Sequence, residues 1–272
     1  MNFYDYARGT EYYGQEKIIK ELIGIATELK NGVKLNLLFQ AQSGYGKTTL
    51  AYTLLSFVDP GYKNSFQYIP NRDGEVMLEK DARYHFIDEA HELKVPESLY
   101  SSMDSSDLVI MIATNEFDKL KEPMRNRCIN FNFVPYTNAE LALILQDRFV
   151  SRDINLPYEW CLEITSYTRG NPRVAKNLAL RIGFLINNYG YPDNVEDLHK
   201  LVYEILGTDS KGITEYDRLY LETLEKAGGV AALNLMVGLT NLPKKVILEE
   251  IEPFLIMQGL IRVTSKGRSS AK

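Results

Sequence analysis

The stretch AQSGYGKTTLA, residues 41–51, follows the apolar run LNLLF after one residue, Gln40, and constrains the fold more than any other part of the chain. Gly44 and Gly46 flank a single residue, Tyr45. Glycine reaches positive φ without a Cβ penalty and leaves its amides uncovered. Amides arranged this way can converge on an anion. Lys47 adds a compact positive charge, and the Thr48 hydroxyl is placed to hold a divalent cation. A helix reading KTTLAYTLLSFV would aim its positive end at the same point. The unit implied is strand, loop and helix around the phosphates of a nucleotide and Mg2+, with Gly44, Tyr45, Gly46, Lys47, Thr48 and Thr49 as contacts. The general pattern is G-x-x-x-x-G-K-S/T, and Ala41 stands where its first glycine would be. Alanine serves there if its φ stays negative, with an altered entry turn.

A chain of 272 residues that is 45% hydrophobic can bury a substantial core. The start MNFYDYARGTEYYGQ lacks a signal-peptide core and no apolar run has membrane-spanning length, so a cytoplasmic location is expected. Cys128 and Cys161 are far apart and without metal-ligand spacing, which predicts free thiols. His85 and His91 lack a complementary third ligand, and Trp160 with Tyr158 reads as core packing. The net charge of −5 excludes a uniformly basic surface. A local patch remains possible in the tail RVTSKGRSSAK, which carries Arg262, Lys266, Arg268 and Lys272 without an acid.

The first part, 1–135, reads as α/β. An amphipathic helix QEKIIKELIGIATELKNG, the strand VKLNLLFQ, the glycine loop and later apolar runs alternate in the manner of a parallel sheet covered on both faces. Residues 136–208 have helical spacing throughout, punctuated by Gly170, Pro172 and Gly190. Residues 209–272 outline helices followed by a strand and a turn at Lys266-Gly267-Arg268, the plan of a winged helix.

Chemistry needs more than a phosphate cradle. In HFIDEAHEL, Asp88 closes an apolar run and can hold the magnesium ion through water, while Glu89 can deprotonate the attacking water. Thr114 and Asn115 end the run MIATN and can hydrogen-bond the γ-phosphate or that water. In EPMRNRC, Arg125 and Arg127 offer planar guanidinium groups that could cross a subunit boundary. Arg173, just after Pro172 at a helix start, could register whether the γ-phosphate is present.

The order of these motifs from Tyr13 to Arg173 resembles that of the AAA+ ATPases, and within them the RuvB branch-migration motors. EYYGQEKIIKEL is similar to the adenine-side segment, SGYGKTTLA to Walker A, FIDEAHEL to Walker B, ATN to sensor 1, MRNRC to the arginine-finger box and GNPR to sensor 2. The tail segments GITEYDRLYLETLEKAGG and EPFLIMQGLIRVTSKGR resemble the RuvB winged helix. By this resemblance the fold is an AAA+ P-loop ATPase with a helical lid and a C-terminal winged helix. Lys47, Thr48, Asp88 and Glu89 serve ATP, Tyr13 lies on the adenine side, Asn115 or Thr114 is sensor 1, Arg127 the finger, and Pro172-Arg173 the sensor 2 segment. Arg262, Lys266 and Arg268 face branched or duplex DNA, and copies assemble as a ring or arc, expected to be hexameric. One departure bears on partners. The RuvB hairpin that engages RuvA has no room in KVPESLYSSMDSSDLVIMIATN, and Asn126-Arg127-Cys128 is similar to the Ser-Arg-Cys box of clamp loaders. A loader of clamps or helicases, and a nucleotide-gated DNA adaptor with little turnover, stay open beside the motor at this stage.

Overall fold

The computed structural model describes residues 1–70, 73–79, 81–94, 97–105, 107–209 and 211–271. Two compact units emerge, Met1–Asp147 with Asn171–Arg173, and Arg148–Gly170 with Val174–Lys272. In the first, α1 (Phe3–Gly9), α2 (Glu16–Lys30), β1 (Leu37–Gln40), α3 (Lys47–Val58), β2 (Ser65–Tyr68) and β3 (Tyr84–Ile87) come in that order. α4 (Glu97–Ser105), β4 (Val109–Thr114), α5 (Glu122–Arg125), β5 (Ile129–Asn132) and the start of α6 (Asn138–Val150) follow. The strands form one five-stranded sheet in the order β2-β3-β4-β1-β5. Every pairing in it is parallel, with Leu38 beside both Ile112 and Asn130.

Side-chain alternation explains why both faces are covered. Leu37 and Phe39 of β1, Met111 of β4 and Phe86 of β3 point into one core with Leu22, Leu50 and Leu54 of α2 and α3. Leu38, Ile110, Ile112 and Ile87 point the other way, onto Leu99, Met103 and Met124. Side chains of this size each contribute about 1.5–3 kcal/mol when buried. The start of β1 is set by one buried amide. Asn36 Oδ1 accepts from the Ile110 backbone N–H (3.1 Å) and Asn36 Nδ2 donates to the Met103 carbonyl (3.1 Å), so the chain is pinned before the apolar run begins. His85 lies within β3, wholly buried, its Nδ1 3.0 Å from the Tyr68 hydroxyl and its Nε2 3.0 Å from the Ala82 carbonyl. Cys128 and Cys161 are free, and burial pushes both thiols up to about 12.

The second unit holds α7 (Tyr158–Glu163), α8 (Pro172–Tyr189) from Val174 onward, and α9 (Val195–Leu206). α10 (Glu215–Lys226), β6 (Val230–Ala231), α11 (Leu233–Thr240), α12 (Lys244–Val246), α13 (Glu252–Met257), β7 (Ile261–Thr264) and β8 (Gly267–Ser270) complete it. β6, β8 and β7 make an antiparallel sheet in that order. Between α12 and α13 the backbone widens to a π-helix over Ile247–Ile251. Pro253, which follows, has no N–H to donate and crowds the preceding turn, a combination that a wider turn accommodates.

A buried polar cluster ties the C-terminal sheet to its helices. Arg268 donates from Nε to Glu252 Oε1 (2.8 Å) and from Nη2 to Oε2 (3.1 Å), and the Tyr220 hydroxyl donates to the same carboxylate (2.8 Å). The Glu252 side chain is 4% exposed and that of Arg268 16%. Arg268 is thus paired with an internal carboxylate, and without it Glu252 would be a buried, unpaired charge. Arg262 and Lys266 are exposed, whereas Lys272 lies outside the described residues. Arg268→Ala is therefore expected to destabilise the protein by about 3–5 kcal/mol, as removal of one partner from a buried pair does. Urea unfolding followed by circular dichroism measures it.

Candidate nucleotide-binding site

Strand order decides what the loops can share. β1 and β3 both pair with β4, so the segments leaving the C-terminal ends of these parallel strands open on the same edge of the sheet. They are the glycine loop, the acidic pair and the Thr114-Asn115 turn. Ala41 begins the loop by donating its N–H to the Thr114 carbonyl (3.2 Å), and it is not among the residues with positive φ. Gly44 and Gly46 have φ of 88° and 87°. Gly46 is the N-cap of α3, so the helix begins as the loop ends. An ideal Cβ on Gly44 would lie 2.3 Å from Asn171 Oδ1.

Lys47 is 8% exposed. Its ammonium donates to the carbonyls of Ala41 (2.8 Å) and Gln42 (3.1 Å). Burial lowers its pKa, Glu89 and Asp88 act in the opposite direction, and Arg173 adds to the lowering. Arg173 donates from Nη1 to Ser43 Oγ (3.0 Å), and Asn171 donates from Nδ2 to the Ser43 carbonyl (3.0 Å) while accepting from the Arg173 N–H (2.9 Å). Asn171 thus caps α8 just ahead of Pro172, the sequence signature of a helix start. The Asn-Pro pair carried that signal, but it did not point to the glycine loop.

Facing the loop, the Thr48 hydroxyl donates to Asp88 Oδ2 (2.7 Å) and the Glu89 N–H donates to Asp88 Oδ1 (3.0 Å). An all-oxygen pair such as Thr48 and Asp88 suits a hard cation. Glu89 has φ 51° and ψ 40°, the left-handed region, where a non-glycine residue costs about 1–3 kcal/mol and persists only if its surroundings hold it. Thr114 is fully buried, and its hydroxyl accepts from the Glu116 N–H (3.0 Å). Asn115 Oδ1 is buried with no hydrogen-bond partner among the described residues. An orphaned acceptor costs about 1–3 kcal/mol, a penalty that a donor on a bound ligand or water would relieve.

A tyrosine cluster supports the loop from the other side. The Tyr136 hydroxyl donates to the Tyr12 hydroxyl (3.4 Å) and lies 3.4 Å from the Tyr45 carbonyl, and the Tyr12 hydroxyl is 3.5 Å from the Gly46 carbonyl. Burial raises the pKa of Tyr12 and takes that of Tyr136 up to about 12, keeping both neutral. Tyr13 is half-buried, and Thr49 exposed. Tyr136 carries no motif and was invisible in the sequence.

Arg127 stands apart from these residues. Asn36, just before β1, donates to its carbonyl (3.4 Å), so Arg127 lies toward the N-terminal end of that strand while the glycine loop leaves its C-terminal end. Its guanidinium binds Asp104 from Nε and Nη2 (both 2.8 Å), donates from Nη1 to the Pro123 carbonyl (2.9 Å) and lies over the Tyr100 ring. Arg125 lies over Phe117, a packing contact. The stretch 94–115 holds α4 and β4, and Val95, Pro96 and Ser106 within it lie outside the described residues.

Comparison with known proteins extends this geometry. Residues 210–272 match the family described as RuvB C-terminal winged helix domain. The chain is 30% identical over 292 residues to the Holliday junction branch migration complex subunit RuvB of Helicobacter pylori (strain G27), covering 95% of this chain and 86% of that one. It is 29% identical to the protein of the same name from Aliarcobacter butzleri, over 95% of this chain and 84% of the other. A solved structure of the Thermotoga maritima RuvB Holliday junction branch migration motor superposes with a TM-score of 0.81 at 26% identity, covering 96% of this chain and 93% of that one. Among the described residues no helix is long and apolar enough to cross a membrane.

Gly44→Ala is expected to weaken nucleotide binding at least tenfold, because alanine in the left-handed region costs about 1–2 kcal/mol before the clash with Asn171 is counted. Titration with a fluorescent ATP analogue reads the loss.

Proposed function

The chain belongs to the RuvB family, and from that premise we propose that it is the ATP-hydrolysing motor of Holliday-junction branch migration in DNA recombination and repair. Its finer description is a DNA translocase assembled as a homo-oligomeric ring or arc, acting in the cytoplasm. Its ATPase core, lid and winged helix are taken as 1–135, 136–208 and 209–272. The observation that carries this reading is the Thr48 hydroxyl lying 2.7 Å from Asp88, beside Glu89 and within electrostatic reach of Lys47. These groups supply what phosphoryl transfer needs, namely positioning and charge stabilisation.

In this scheme the amides between Gly44 and Thr48 and the Lys47 ammonium hold the β- and γ-phosphates. Tyr13 lies on the adenine side. Thr48 and Asp88 would hold magnesium, which when bound neutralises charge on the phosphate oxygens. Glu89 takes a proton from the attacking water as its oxygen bonds to the γ-phosphorus and the bond to the β-phosphate oxygen breaks. Asn115, whose Oδ1 lacks a partner, orients that water, with Thr114 fixing the turn. Arg173, already on Ser43, passes loss of the γ-phosphate into α8. Arg127 cannot reach its own glycine loop from the far end of β1, and its place supports a role toward the site of a neighbouring copy, as a finger that offsets transition-state charge. Arg262 and Lys266, with Arg268 on the neighbouring strand, would meet DNA phosphates. No contact with a RuvA-type partner is assigned to 94–115.

Glu89→Gln is expected to bind ATP with unchanged affinity and to lose turnover by at least a hundredfold, the contribution of a general base. Arg127→Ala should be similarly inactive. Mixing the two variants should recover turnover, since an interface between them can combine an intact Glu89 with an intact Arg127. Phosphate release and dissociation of a synthetic four-way junction are the assays, and a mixture no more active than either variant alone would exclude the finger acting between copies.

A further inference from the structure

The scheme above leaves out a side chain that lies close to the Glu89 carboxylate. His91 occupies the short 3-10 turn Ala90–Glu92 that follows the acidic pair, and its side chain is 8% exposed. Its Nδ1 lies 3.6 Å from Glu89 Oε2 and 3.4 Å from Thr114 Oγ1. Its Nε2 lies 3.3 Å from Glu116 Oε1. The second oxygen of Glu116 holds Lys119 (2.7 Å), and the Glu116 backbone N–H is bonded to the Thr114 hydroxyl. One buried ring therefore spans the exits of β3 and β4, with a carboxylate from each on either side.

We propose that His91 is a positioning residue that holds Glu89 against the end of β4, so that the direction of the hydrolytic carboxylate follows the state of the Thr114-Asn115-Glu116 turn. The inference rests on the reading of the site given above and deepens it. Three observations carry it. Glu89 has a left-handed backbone, so its carboxylate is steered by side-chain rotation more than by backbone movement. Its side chain is 46% exposed, and among the described residues its carboxylate has no hydrogen bond, so a ring 3.6 Å away can bias its rotamer. The turn that His91 also touches is the one in which Asn115 presents an unpartnered oxygen, so the ring joins Glu89 to a place that a ligand can engage. A neutral imidazole carries one N–H, and whether that N–H is on Nδ1 or on Nε2 decides whether the ring can donate toward Glu89 or toward Glu116. The 3.6 Å separation is longer than a hydrogen bond, and a small rotation of Glu89 closes it.

Three variants test this. His91→Ala removes the ring, His91→Asn places an amide near the position of Nδ1, and His91→Gln places one near the position of Nε2. With the full-length protein and ATP, His91→Ala is expected to lower kcat about tenfold or more while the dissociation constant for an ATP analogue changes less than about twofold. That split follows from losing orientation of a general base rather than a binding contact. His91→Asn should recover much of the loss because it still reaches toward Glu89, and His91→Gln should resemble His91→Ala. Wild-type turnover in His91→Ala, equal losses of affinity and kcat, or His91→Gln as active as His91→Asn would overturn the proposal. Should His91→Ala melt early, the comparison between the Asn and Gln variants decides. Glu89→Gln is assayed alongside. If it hydrolyses ATP normally, the reading of the site has failed, whereas an inactive Glu89→Gln beside a fully active His91→Ala removes only the role given to His91.

Discussion

A loop can hold a triphosphate only if the strand it leaves is immobile, and here that strand is β1, paired on one side with β4 and on the other with β5. Both of its faces are buried, through Leu37 and Phe39 on one side and Leu38 on the other. The same pairing places the Thr114 carbonyl where Ala41 donates to it, so the loop and the turn after β4 share one hydrogen bond. Thr48 and Asp88, forty residues apart in sequence, meet at 2.7 Å because β3 is one strand removed across β4. The polar chemistry of the edge is thus a consequence of apolar packing beneath it.

The edge is also where local preferences are overruled. Glu89 sits in a backbone region that glutamate avoids, and Asn115 keeps a buried oxygen without a partner. Lys47 is buried against the carbonyls of its own loop. Unfavourable features of this kind gather where a ligand can relieve them, and a rigid sheet can support them. The histidine between the two carboxylates belongs to the same economy of a small, crowded edge.

The C-terminal sheet is organised on a different principle. Its hydrophobic core, including Tyr220, Met236, Leu255 and Ile261, surrounds a carboxylate satisfied by Arg268 and Tyr220. Nearby, Arg169 binds Asp217, donates to the carbonyls of Glu250 (3.2 Å) and Gly212 (3.1 Å), and stacks on the Phe254 ring. Asp217 also closes the capping box that starts α10. Two arginines thereby fix helix entry and sheet register in the second unit, leaving Arg262 and Lys266 on the outside.

Much of this was legible in the residues themselves. Glycine spacing announced the loop and short apolar runs announced β1, β3 and β4, because backbone freedom and hydrophobic runs are local properties. α1 and β2 were not read, since Phe3–Gly9 and Ser65–Tyr68 are short and carry no strong period. The residues around the loop divide in the same way. Lys47, Thr48, Asp88 and Glu89 announce their chemistry in recognisable strings, whereas the contacts made by Tyr136, Asn171 and His91 arise only once the chain is folded. Arg268 shows the limit most plainly: by sequence it is one more cation in a basic tail, and only folding brings Glu252 beneath it. The sequence by itself determined the elements, the cradle and the chemical types that meet a nucleotide, all set within a few residues of one another. The tertiary structure alone decided which charges face each other, because electrostatic and hydrogen-bond partners are chosen by distance in space, which the order of residues along the chain does not contain.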